Sequence, residues 1–228
     1  QAGALRDMVQ NHLTQLLTLT TMEVPVAFDA ESIRTEKAKI LRAIPPVRPE
    51  DVIYGQYTRG AINGQEAPGY REEPGVSPDS PTETFVAMKL SIENWRWQGV
   101  PFYLVTGKRL PRRFSQIAVT FRCPPVWVFD PHYPGTCSPN VMVFTVQPDE
   151  GFDLHFEVKA PGEPLQLKTQ RLRYRYAEGF APLTDAYDTL LLDIMAGDQT
   201  LFVRADEVEG AWRIYAAALD PPPSLVRR

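Results

Sequence analysis

Apolar residues recur at helical spacing at the start of the chain. Leu5, Met8, Val9, Leu13, Leu16 and Leu17 fall on one stripe and predict an amphipathic helix over 4–20. A second helix is predicted over 30–44, where Ile33, Ile40, Leu41 and Ile44 line one side before Pro45 ends it. Tyr187, Leu190, Leu191, Ile194 and Met195 make a third, closed by Gly197 at the position after the last turn. A fourth follows Asp206, which can cap it while Glu209 completes a capping box, with Val208, Ala211, Trp212, Tyr215 and Leu219 as its buried side.

The middle of the chain alternates instead. Val86, Met88, Leu90 and Ile92 point one way with Lys89 and Ser91 opposite, and Ile117, Val119 and Phe121 repeat the pattern. Phe152, Leu154, Phe156 and Val158 do so again, while Val141 to Val146 is nearly all apolar and predicts a strand covered on both faces. Along 165–176 the apolar set shifts from Leu165 and Leu167 to Leu172, Tyr174 and Tyr176, which predicts a bulge or bend. Pro148 to Gly151 and Ala160 to Pro164 are short turn-rich links that favour antiparallel hairpins. Helices, then strands, then helices predict an α+β fold: a large, mostly antiparallel β-sheet with helices packed on it.

The 22 prolines sharpen this division. Pro45-Pro46, Pro68, Pro74, Pro78, Pro81, Pro124-Pro125, Pro131, Pro134, Pro161, Pro164 and Pro221 to Pro223 fall between elements, as punctuation of one folded domain over 1–228. The longest irregular stretch runs from Gly60 to about Thr82, and loops of that length are more often functional than idle. A net charge of −4 argues against a nucleic-acid-binding protein. No apolar run reaches the roughly 20 residues that cross a bilayer, and no signal peptide opens the chain. Cys123 and Cys137, read as free thiols, fit a reducing cytoplasm. His12, His132 and His155, without a CxxC pair, make a poor zinc set, so no metal is expected.

Candidate chemistry concentrates in two places. Asp7-Met8-Val9-Gln10-Asn11-His12 offers an acid, an amide and an imidazole within two turns of the first helix, with His12 at the edge of the buried stripe. An imidazole titrates near neutral pH and suits general-base work. Gly107-Lys108-Arg109-Leu110-Pro111-Arg112-Arg113 carries four cations in the six residues from 108 to 113, between predicted strands ending near Leu104 and starting at about Gln116. Such a loop can engage a phosphate or hydroxyls by charge-assisted hydrogen bonds, or it is a solvated basic turn. No GxGxxG follows a strand and opens a helix, so this chain alone does not bind a dinucleotide in the Rossmann manner.

Gly-Ala-Leu-Arg-Asp-Met-Val-Gln-Asn-His-Leu over 3–13 resembles the segment of glucose-6-phosphate dehydrogenases that carries their catalytic histidine. The resemblance continues through GYREEPGV at 69–76, TETF at 82–85, WQGVPF at 97–102, TGKRL at 106–110, VQP at 146–148, DAY at 185–187, GDQTLFVR at 197–204, and DEVE and AWRI at 206–209 and 211–214. It spans nearly the whole chain in order. It implies the C-terminal, substrate-binding and dimerisation domain of an NADP-dependent enzyme of the pentose phosphate pathway. It also implies His12 as the base that takes the C1 hydroxyl proton of glucose 6-phosphate, with Asp7, Lys108, Arg113 and Gln147 as substrate contacts. Tyr187 is a lesser candidate, since aromatic residues in helical stripes are more often core.

The resemblance also implies what this chain lacks. A Rossmann domain and a RIDHYLGKE motif are expected upstream of Gln1, and a tail beyond Arg228, so the chain alone is expected to be inactive. Some members hold a second, structural NADP on the sheet through basic residues. The matching positions here are Val105, Phe114, Ala118 and Thr145, with Asp153 and His155 beyond, so no structural NADP site is expected. The family's use of its sheet implies a homodimer through that surface. Two readings stand: the substrate and catalytic-base part of a dehydrogenase, or a non-catalytic dimerisation module.

Overall fold

The computed structural model describes residues 2–62, 64–126, 137–180, 186–219, 221 and 223–227. Gln1, Pro131, His132, Pro134, Asp185 and Pro222 lie outside the described residues. The chain divides into two compact units, Gln1–Pro111 with Ala186–Arg228, and Arg112–Asp185.

The first unit opens with a π-helical segment, Leu5–Leu13, that runs directly into helix α1, Thr14–Thr21. Helix α2, Ala30–Ala43, starts where the Asp29 carboxylate accepts the Ser32 N–H at 2.8 Å. Strands β1 (Val52–Gly55), β4 (Phe85–Leu90) and β5 (Phe102–Gly107) pair antiparallel, and the short β10 (Val226–Arg227) joins β1 in parallel. The predicted inward set Val86, Met88, Leu90 and Ile92 is buried against Leu5, Val9, Leu41, Ile44, Ile214 and Tyr215, so the helices cover one face of this sheet. Tyr103 and Val105, alternating outward on β5, are exposed.

Three expectations change in this unit. The 60–82 stretch is not structureless: β2 (Gly60–Ile62) and β3 (Gln65–Ala67) form a hairpin within it. Helix α5, Ala205–Tyr215, starts one residue before Asp206, and its capping pair is Arg204 with Glu207. The Glu207 carboxylate accepts the Arg204 N–H at 3.1 Å, while Asp206 receives the Arg204 guanidinium at 2.8 Å. That start turns Glu207, Ala211, Ile214 and Tyr215 inward and leaves Val208 and Trp212 partly exposed. Glu207 is tolerated inside because the Lys37 ammonium lies 2.6 Å from its carboxylate, joining α5 to α2. Helix α4, Ala186–Ala196, ends at Gly197 (φ 74°) as expected, yet Tyr187 is 76% exposed rather than packed as core.

The second unit is a four-stranded antiparallel meander: β6 (Ser115–Thr120), β7 (Val141–Gln147), β8 (Gly151–Lys159) and β9 (Leu167–Arg175), followed by the short helix α3, Tyr176–Gly179. The two turn-rich links join β7 to β8 and β8 to β9, as predicted. The predicted bulge in β9 is absent, because its register with β8 runs unbroken from Gly151↔Arg175 to Lys159↔Leu167. The irregularity lies instead between Ser115 and Gln116. The apolar shift along 165–176 therefore reflects a change in which face is apolar. Nor is β7 covered on both faces, since its apolar residues are half-buried at most. Cys123 and Cys137 are joined as a disulfide, which corrects the reading of free thiols. No helix among the described residues is long and apolar enough to cross a membrane.

Candidate functional site

The site is built where the first helix begins. Gly3 turns the chain with φ +91°, and the Ala4 and Leu5 N–H groups then reach Glu83, donating to its carbonyl at 3.0 Å and its carboxylate at 2.9 Å. A buried carboxylate 78 residues from Leu5 in sequence thus satisfies one of the donors that a helix start leaves open, and the carbonyl of the same residue takes another. The fit is close: a Cβ at Gly3 would sit 2.4 Å from a Glu83 carboxylate oxygen.

Beyond this start the chain winds as a π-helix. Five residues along an α-helix would carry His12 about 140° away from Asp7 around the axis. Winding with i→i+5 hydrogen bonds brings residues five apart onto nearly one face. Asp7 and His12 are both exposed, with Asn11 between them, while Leu5, Val9 and Gln10 are buried on the other side. His12 therefore stands in solvent, not at the edge of the core stripe as the 3.6-residue period predicts. The wide turn closes at Thr14, whose hydroxyl donates to the Val9 carbonyl at 2.6 Å and lies 2.8 Å from the Tyr215 hydroxyl. Burial pushes the Tyr215 phenol up to about 12.

Lys108 follows strand β5, which packs against the π-helical segment. Its N–H donates to the Thr84 carbonyl at 2.9 Å, next to Glu83, and its side chain is exposed. The segment Glu83-Thr84 thus holds both the start of the Asp7–His12 segment and the loop bearing Lys108. Arg113 and Gln147 belong to the second unit. There Gln147 pairs with Ser115, two residues after Arg113, so these two exposed residues occupy one end of that sheet.

The family described as "Glucose-6-phosphate dehydrogenase, C-terminal domain" matches residues 1–222. The chain belongs to this family. It is 48% identical over 217 residues to a glucose-6-phosphate 1-dehydrogenase of Mycolicibacterium smegmatis, covering 93% of this chain and 43% of that protein. It is 45% identical over 224 residues to the protein of that name from Aggregatibacter actinomycetemcomitans, covering 96% and 44%. Among solved structures, a glucose-6-phosphate dehydrogenase in complex with glucose 6-phosphate superposes with a TM-score of 0.86 at 36% identity, covering 97% of this chain and 45% of that one. The enzyme from Mycobacterium avium matches with a TM-score of 0.83 at 36% identity, covering 99% and 46%. The chain thus spans less than half the length of these two relatives.

Two arrangements escaped the sequence reading. Glu83 lies in an aperiodic stretch, and only its place in the TETF match marks it. On the second sheet, Asp153 is buried beneath arginines from β9, with Arg171 at 2.6 Å, Arg175 at 2.7 Å and Arg173 at 3.4 Å. The Arg171 hydrogen bond, with Arg175 behind it, holds the Asp153 carboxyl well below the usual carboxylate range despite burial. Alternation places these guanidiniums on the same face as Asp153 and His155, so that face is richer in cations than positions 145, 153 and 155 alone imply. Among the described residues, no group of His, Cys, Asp and Glu is arranged to hold a metal ion.

Proposed function

We propose that this domain is the substrate-binding and catalytic-base part of an NADP-dependent glucose-6-phosphate dehydrogenase, which oxidises glucose 6-phosphate to 6-phosphoglucono-δ-lactone in the pentose phosphate pathway. The reading is carried by the π-helical segment, which sets Asp7 and His12 on one exposed face. It is further supported by relatives bearing that enzyme name and by a substrate-bound neighbour. His12, as a neutral imidazole, takes the C1 hydroxyl proton. Asp7 accepts hydrogen bonds from sugar hydroxyls, and Lys108, Arg113 and Gln147 complete the substrate contacts. No strand-to-helix glycine turn fits a dinucleotide in this chain, so none of these residues is assigned to hold the cofactor. Bound by a domain outside this chain, NADP supplies the hydride acceptor.

The decisive experiment is His12→Asn in the full-length protein. We expect turnover to fall by roughly 10²–10⁴ with little change in the KM for glucose 6-phosphate. Lys108→Ala should chiefly raise KM. A stable His12→Asn enzyme with near-normal turnover removes His12 from the mechanism. The chain alone, mixed with glucose 6-phosphate and NADP, is expected to give no reduced cofactor.

A second role, homodimerisation through the sheet, is favoured by one observation. Register aligns Ile117, Phe144, Phe152 and Tyr174 in a row across β6 to β9, and Phe144, Phe152 and nearby Leu172 are exposed. A location in the cytoplasm is retained from the family alone, since the joined Cys123 and Cys137 no longer argue for it.

A further inference from the structure

The backbone at Lys108 is held by residues outside the substrate set. Just after it, Arg109 has φ +56°, and among the described residues it is the only non-glycine in the left-handed region. An L-residue with a long side chain disfavours that conformation and keeps it only where its surroundings over-determine it. Here they do. The Arg109 guanidinium lies over the Tyr57 ring, 5.1 Å from its centroid, and forms an ion pair with Glu73. The Tyr57 hydroxyl donates to the same Glu73 carboxylate at 3.2 Å, closing a three-residue cluster. Tyr57 is itself tied to the anchor of Lys108. Its N–H donates to the Thr84 hydroxyl at 3.1 Å, while the Thr84 carbonyl accepts the Lys108 N–H at 2.9 Å. Lys108 is thereby pinned on one side through its own N–H and on the other through its neighbour's side chain. Its own side chain is left exposed.

We infer that Arg109, clamped between the Tyr57 ring and the Glu73 carboxylate, is a positioning residue that aims Lys108 and thereby sets affinity for the phosphorylated sugar. The inference rests on the reading of Lys108 as a substrate contact. A lysine on a freely moving loop must be ordered on binding, and the clamp orders its backbone in advance. It also ties the 69–76 segment to the substrate loop, giving the GYREEPGV stretch a role of its own.

The test uses the full-length protein with Arg109→Gly, Glu73→Gln and Lys108→Ala. Glycine adopts a positive φ without penalty, so Arg109→Gly keeps the turn and removes only the clamp. Glu73→Gln breaks the ion pair at its other end and serves as an independent check on folding. For both we expect the KM for glucose 6-phosphate to rise about threefold to tenfold, with turnover, the KM for NADP and the melting temperature nearly unchanged. Arg109→Lys, which keeps the charge but not the planar stack, should recover part of the loss. In the double variant Lys108→Ala with Arg109→Gly, KM should be no higher than in Lys108→Ala alone. If Lys108→Ala raises KM but Arg109→Gly and Glu73→Gln do not, or if the double variant is additive, the inference fails while the substrate reading stands. An unchanged KM in Lys108→Ala overturns both.

Discussion

Gly3 and Glu83 show how single positions govern this site. Gly3 occupies a left-handed conformation in contact with a buried carboxylate, and Glu83 uses that contact to receive two backbone donors. Alanine at position 3 meets both penalties at once, a strained φ and a Cβ too close to an oxygen whose own position is constrained. Gly3→Ala is expected to destabilise the protein by about 1–3 kcal/mol, read from urea denaturation midpoints. An unchanged midpoint would mean that the Glu83 side chain moves away without loss. In the role proposed for it, His12 needs no such contact, because reaching a substrate hydroxyl depends on exposure rather than on holding the core.

Among the elements, the π-helical segment and strand β9 depart furthest from a simple period, and each has an identifiable cause. In the first, Thr14 supplies a hydroxyl to the Val9 carbonyl and the buried stripe follows Leu5, Val9 and Thr14 instead of the α spacing. In β9, three arginines alternate on the face that covers Asp153. Acid should expose the second arrangement. The folded carboxyl titrates below its ordinary value of 3.8, so its contribution to stability is complete above that pH and is lost as pH falls toward the folded value. Asp153→Asn removes this dependence. Denaturation midpoints of the two proteins are expected to differ most at neutral pH and to converge below about pH 3. A constant gap across that range would show that the arginines do not favour the charged form.

For the whole molecule, the largest consequence follows from surface that stays uncovered. The row from Ile117 to Tyr174 brings Phe144 within 6.5 Å of Phe152 and Phe152 within 5.4 Å of Tyr174, ring centre to ring centre, with Leu172 58% exposed nearby. A contiguous apolar face of this kind marks an interaction surface more often than a solvated one. Self-association of standard size would bury roughly 1,600 Å² across the pair. Sedimentation at micromolar concentration should therefore find a dimer, and Leu172→Arg should shift it to monomer without unfolding it. A stable, non-aggregating wild-type monomer would remove the sheet as a dimer surface.

Periodicity placed the four main helices and the strands β4, β6 and β8, because burial on one face imposes a spacing of 3.6 or 2.0 that survives in the residue order, whereas the short strands β1, β2, β3 and β10 carry too few residues to show one. Ile33, Ile40, Leu41 and Ile44 were legible in this way, as were Val86, Met88, Leu90 and Ile92, and all are buried. The residue types of the candidate site, and their resemblance to a family, were legible as well. Tertiary structure alone decided how those residues are presented. The π winding that puts Asp7 and His12 on one face, the Glu83 carboxylate at the helix start, and the Arg109 turn held by Tyr57 and Glu73 leave no periodic trace. The same holds for the capping pair of α5, the straight register of β9 and the Cys123–Cys137 bond. Each depends on partners distant in sequence or on a choice between backbone conformations of similar energy. Local spacing does not encode such choices, and only the packed chain makes them.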